Sequence, residues 1–196
     1  PGVMVRRALA AGLCMFAVTC SGGAPSASSR MVDRASLSAV DAGAGSSTLL
    51  ASVSPARLVI PGIGVDARIE SRGLDSARNL DVPADYRDVA WYNLGPAPGQ
   101  PGNAILNGHV NWWTGAAVFT RLSELKRGDR IVVVRGDGSR LTFKVTGTTI
   151  VLANARVASL FAPSPKAGLT LITCSGQWDT ALGSDTHRLL VSATLA

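Results

Sequence analysis

From residue 57 to residue 196 the chain is a succession of short apolar runs, rich in β-branched residues and cut by Pro, Gly and polar residues. That punctuation is what most limits the fold. Runs at 57–60, 65–69, 89–92, 104–109, 130–135, 141–149, 169–174 and 188–194 read as eight strands. Pro61-Gly62 separates the first two, and Gly136-Asp137-Gly138 is a hairpin signal between the fifth and sixth. The Pro/Gly-rich segment 95–102 reads as loop, and 117–122 as a single helical turn. Eight short strands with few helical periods predict an all-β barrel or sandwich.

The first 56 residues have a different character. Arg6-Arg7 precede an apolar run of 12 residues, 8–19, and then the small residues Ser21, Gly22, Gly23 and Ala24. This is the layout of a signal peptide or short N-terminal anchor over 1–20, and the run is too short for a comfortable membrane span. Cys20 stands where a lipoprotein signal places its acylated cysteine, so lipid anchoring is one expected fate of this end. Residues 21–56 are dominated by Ser, Ala and Gly without useful periodicity, the composition of a flexible tether. The expected destination is outside the cytoplasmic membrane, with the N-terminus keeping the protein near it.

Charge narrows the partners. The whole chain is +6, but 57–196 holds 15 Lys and Arg against 11 Asp and Glu, without a basic run interleaved with aromatics. Nucleic acid is therefore not expected as a partner. No His/Cys/Asp/Glu cluster has metal-ligand spacing and no glycine motif cradles phosphate, so no cofactor is expected.

Three cysteines are present, and Cys14 and Cys20 belong to the leader. Cys174 is thus alone in the exported part, at the end of the run 169–174 and just before a Ser-Gly turn. An unpaired thiol in an oxidising compartment is either buried and inert or reactive. Two further residues favour reactivity: His109 closes the run 103–110, and Arg188 opens the last one. A nucleophile, an acid–base and an anion-stabilising cation at the ends of three strands form a coherent set. A neighbouring cation raises the thiolate fraction of a thiol whose free pKa is about 8.5.

Thr170-Leu171-Ile172-Thr173-Cys174 resembles the TLxTC signature of sortases, and Asn107-Gly108-His109-Val110 resembles their histidine motif. Arg188 follows the cysteine by 14 residues, near the family spacing. Trp91-Tyr92 followed by Gly95-Pro96, Pro98-Gly99 and Pro101-Gly102 looks most like the class F group, with class E second. His187, where many relatives carry an aromatic, departs from the pattern.

The resemblance implies an eight-stranded sortase-like β-barrel with short helical turns over 57–196. It also implies attack by Cys174 on the Thr–Gly bond of an LPxTG-type sorting signal, with His109 as acid–base and Arg188 as oxyanion and substrate stabiliser. The thioacyl product would pass to a cell-envelope amine. Thr173 is expected to contact the substrate. His187, beside Arg188 on a strand, faces the other way and is expected at the surface. Trp112, Trp113 and Trp178 are read as packing residues. The alternatives are a thiol hydrolase with the same intermediate and a non-catalytic envelope-binding module. A peptidoglycan L,D-transpeptidase is disfavoured, because its Ser-x-Gly-Cys segment is missing.

Overall fold

The computed structural model describes residues 54–181 and 183–196. The expected signal segment 1–20, Cys20 and most of the expected tether lie outside the described residues.

Eight strands close into a barrel: β1 (Pro55–Ile60), β2 (Val65–Arg72), β3 (Val89–Tyr92), β4 (Gly102–Asn107), β7 (Arg130–Arg135), β8 (Arg140–Leu152), β9 (Ala167–Asp179) and β10 (Ser184–Leu195). Around the barrel they run β1-β2-β3-β4-β9-β10-β8-β7. The pairs β2–β3 and β4–β9 are parallel and the others antiparallel. Two more strands, β5 (Asn111–Trp112) and β6 (Gly115–Ala116), form a small separate hairpin that the sequence pattern does not announce. The predicted all-β barrel is the observed fold.

Alternation explains most of it. In β2, Val65, Ala67 and Ile69 point inward and the residues between them outward, the period-2 signature of a half-buried strand. Phe119 and Leu122, from the segment between β6 and β7, join this interior with no exposed surface.

The strands β4, β9 and β10 differ, because both of their faces are buried. Leu106, Leu169, Leu171, Leu189 and Val191 face the interior cluster. The alternate residues Ile105, Ile172 and Leu190 form a second cluster on the outer face, under Leu80, Tyr92, Val157 and Leu160. Two-sided burial is why residues 169–174 read as a continuous apolar and β-branched run, with Thr170 and Thr173 buried too, rather than an apolar–charged alternation.

Four expectations need correction. Cys174 is not at a strand tip: β9 continues to Asp179 and pairs with β10 from Ser184, so residues 175–187 form a long hairpin. The Ser-Gly turn signal misleads because Gly176 instead takes a left-handed φ of 90° within the strand, beside a register shift between Asp185 and His187. A Cβ there would lie 2.4 Å from Thr186 Oγ1. His109 lies two residues beyond the end of β4 rather than closing it. The segment 117–122 carries two successive turns, with Thr120 N–H donating to Ala117 O (3.2 Å) and Leu122 N–H to Phe119 O (3.0 Å), and the regular 3-10 turn falls at the far end of the expected span, at Leu122–Glu124.

Candidate active site

The register of β9 and β10 places Arg188 directly opposite Cys174. Residues so paired have Cβ atoms about 4.5–5.5 Å apart. Counting along each strand, Cys174 shares the outer face with Ile172, and Arg188 shares it with Leu190. His187 pairs with Ser175 and bonds Thr186 Oγ1 through Nδ1 (2.8 Å).

His109 reaches the same face from the chain beyond β4. Gly108 N–H donates to Ile172 O (3.1 Å), and the buried Thr173 hydroxyl donates to Gly108 O (2.8 Å). The peptide just before His109 is thus tied on both sides to the strand that carries Cys174. Gly108 has to be glycine for this: a Cβ would stand 2.7 Å from Val118 Cγ1 and 2.9 Å from the ring of Phe119.

Cys174, His109, Arg188 and Thr173 all line one cavity of about 540 Å³. Its walls are mainly apolar, from Val82, Val151, Val157 and Leu160, over the floor of Ile172 and Leu190. The segment 153–161 that forms one wall is fixed to β4 by Asn103 Nδ2, which donates to Leu160 O (3.0 Å).

Electrostatics at the thiol are mixed. Partial burial pushes the Cys174 thiol above its ordinary value, Arg188 pulls it down, and Asp185 pushes it up. The first effect is the largest, so the neutral thiol is favoured in the resting protein. The Arg188 guanidinium is held in place by its own strand: Nη1 donates to the carbonyls of Asp185 (2.9 Å) and His187 (2.8 Å), and Nη2 to Ser184 Oγ (2.8 Å). Guanidinium has five N–H donors, so these three bonds leave donors for an anion beside the sulfur.

Several features of the site escape a reading of the motifs alone. Asn107, 7 % exposed, lines the cavity and donates from Nδ2 to Asp81 O (3.0 Å), which anchors the 79–82 wall. Its Oδ1 has no hydrogen-bond partner among the described residues. The apolar walls come from loops without any motif. Of the three tryptophans expected to pack, Trp112 does so, against Tyr86, His109 and Trp113, whereas Trp113 is 89 % exposed and Trp178 65 %, each on a hairpin. Among the described residues no group of three or more His, Cys, Asp or Glu is placed to hold a metal ion. No helix among them is long and apolar enough to cross a membrane.

Residues 58–196 match the model of the sortase domain. Among solved structures, the lid mutant of sortase A from Corynebacterium diphtheriae is similar at 27% identity and a TM-score of 0.57, covering 72% of this chain and 69% of that one. Sortase C-1 from Actinomyces oris is similar at 30% identity and a TM-score of 0.56, covering 72% and 71%. The Group B Streptococcus Pilus Island 1 sortase C2, at 24% identity, TM-score 0.56 and 72% and 73% coverage, shares the fold. No curated protein matches the chain significantly. A closed eight-stranded barrel, a thiol facing a cationic side chain across two of its strands, and a domain match over 58–196 lead to one conclusion: the chain belongs to the sortase family, the cysteine transpeptidases of the cell envelope.

Proposed function

We propose that this chain is an exported transpeptidase that cleaves the Thr–Gly bond of an LPxTG-type sorting signal and passes the acyl group to a cell-envelope amine. The observation that carries this reading is the meeting of Cys174, His109 and Arg188 on one apolar-walled cavity. The cavity suits an extended peptide with apolar side chains. His109 accepts the Cys174 thiol proton, the thiolate attacks the threonine carbonyl carbon, and Arg188 faces the oxyanion that forms. His109 donates a proton to the departing glycine nitrogen as the C–N bond breaks, leaving a thioester. The acceptor amine then attacks that carbonyl and expels the thiolate. Thr173, whose hydroxyl is engaged by Gly108, contributes by fixing the peptide that carries His109 and by lining the substrate cavity.

The class F pattern, Trp91-Tyr92 with the Pro/Gly loop after it, supports placing the chain in that group. Here Trp91 Nε1 donates to Pro96 O (3.2 Å), so the motif's aromatic and its loop are one unit. Residues 1–20 serve as export signal or short anchor, lipidation at Cys20 being one alternative for this end, and 21–56 as the tether to the catalytic domain from 57.

The test is intact mass of the full chain incubated with an LPxTG-type peptide, with and without amine. The expected result is a thioester adduct on Cys174 that amine converts to ligated peptide. An adduct that yields only hydrolysed peptide would establish the thiol hydrolase instead. No adduct, together with a thiol inert to alkylation, would refute catalysis.

A further inference from the structure

The site as described has a place for the acyl donor but none yet for the acceptor. With a peptide filling the apolar cavity, the amine must approach the thioester from another side. His109 marks that side, because it lines the cavity and also touches Trp112, which does not.

The His109 and Trp112 rings meet edge to face with centroids 5.0 Å apart. Trp112 stacks on Tyr86 at 5.7 Å and 12°, and its other neighbour is Trp113, at 5.9 Å and 73°. The four rings form a continuous array from the imidazole to solvent, ending at Trp113. The array is built on a fastened base. Val118 N–H donates to Tyr86 O (3.0 Å), Phe119 N–H to His109 O (2.9 Å), and the Thr120 hydroxyl to Val110 O.

Residues 111–116 are all exposed, so these indoles are not burying themselves in a core. Rings that stand in water beside a reaction centre present π-faces of negative potential, which attract cations. The half-buried Tyr86 beside them already holds a cation in this way: the Arg87 guanidinium lies 5.5 Å from its centroid. An amine acceptor carries a positive charge until it is deprotonated, and is the reactant that complements such a surface.

We propose that Tyr86, Trp112 and Trp113 form the acceptor site, which receives a cationic amine and delivers it to His109. This rests on the transpeptidase reading and specifies its second substrate. The ammonium loses one proton to solvent, and the amine nitrogen bonds to the thioester carbon. Its second proton passes to His109, the C–S bond breaks, and Cys174 leaves as thiolate with an amide as product.

The test follows the fate of the thioacyl enzyme in the full chain, with n-butylamine as acceptor below saturation. The Cys174 adduct is scored by mass before amine is added, so failure of the donor reaction is seen separately. Then the ratio of ligated to hydrolysed peptide is measured. Trp113→Ala is expected to lower that ratio about threefold to fivefold, the scale of an exposed cation–π contact. Trp113→Phe keeps most of it, Trp113→Lys falls below the alanine variant, and Trp113→Glu recovers above it. Trp178→Ala, on the other exposed hairpin, leaves the ratio unchanged. In Cys174→Ala protein, n-butylammonium should perturb tryptophan fluorescence more than n-butanol does, and Trp113→Ala should shrink the difference while Trp178→Ala leaves it.

Equal ratios in wild type, Trp113→Ala and Trp113→Lys would overturn the acceptor site while leaving the transpeptidase intact. A loss with alanine that glutamate and lysine share equally would also overturn it, and would point to stacking on a neutral partner such as a sugar. Absence of any adduct would remove both proposals together.

Discussion

Cys174 and His109 face the same cavity, yet the fold delivers them by different means. Cys174 and its partner Arg188 sit inside a long antiparallel ladder, where every neighbour on β9 and β10 helps to set their register. His109 lies beyond the end of β4 and is held by a few discrete contacts: two bonds at Gly108 and one at its own carbonyl. A ladder spreads positional control over many hydrogen bonds, whereas a tethered loop concentrates it in one or two. The thiol–guanidinium half of the site should therefore tolerate single changes around it, and the imidazole half should not.

The largest effects come from the side chains themselves. His109→Ala and Arg188→Ala are each expected to lower transpeptidation at least about a hundredfold, with an unchanged melting transition. His187→Ala should be nearly silent; a crippling loss there with a silent His109→Ala would reverse the assignment. Next comes Gly108→Ala, whose methyl group has to displace Val118 or the buried Phe119. Overpacking of this kind costs about 1–3 kcal/mol. Turnover should fall with it, because the displaced peptide carries His109; thermal unfolding and kcat measured together check both.

Thr173→Val sharpens the contrast further. It keeps the volume but leaves the Gly108 carbonyl without its donor, at a cost of about 1–3 kcal/mol. The expected signature is a kcat loss of about tenfold with little change in peptide KM, since the imidazole moves while the apolar walls stay. A KM effect alone would assign Thr173 to substrate contact instead.

The smallest effects are on pH dependence. Burial raises the Cys174 pKa, so alkylation should gain its full rate at higher pH than for a free thiol. Arg188 lowers that pKa, and Arg188→Gln should shift the profile to still higher pH. Asp185 raises it, and Asp185→Asn should shift the profile to lower pH. Iodoacetamide rates across pH 6–10 (roughly the span over which perturbed thiols titrate) test all three signs.

The two halves also differ in how far they were legible. The barrel could be read from residues because its strands carry local signals: alternation in 65–69, the Gly136-Asp137-Gly138 turn, and the apolar run 169–174. Cys174 and Arg188 could be singled out because a motif and a fixed spacing mark them. The continuation of β9 past Cys174 could not, since Gly176 imitates a turn and only pairing with β10 reveals it as an irregularity within a strand. The cavity walls and the aromatic array were hidden for a related reason. Val82, Val157 and Leu160 come from loops distant in sequence, and Tyr86 meets Trp112 from a separate segment of the chain, whose backbone Val118 also bonds.

What residue order alone determined is the local conformation and chemical inventory: an all-β domain from 57, one thiol beyond residue 20, and a histidine and arginine of defined motif. These depend on side-chain period, β-branching and turn chemistry within a few residues of each other. Tertiary structure decided which face each residue shares, that Arg188 rather than His187 stands across from the sulfur, and that exposed rings adjoin His109. The reason is physical: strand pairing has a period of two, so a single-residue shift exchanges the faces, and that register is set by contacts between segments far apart in the chain.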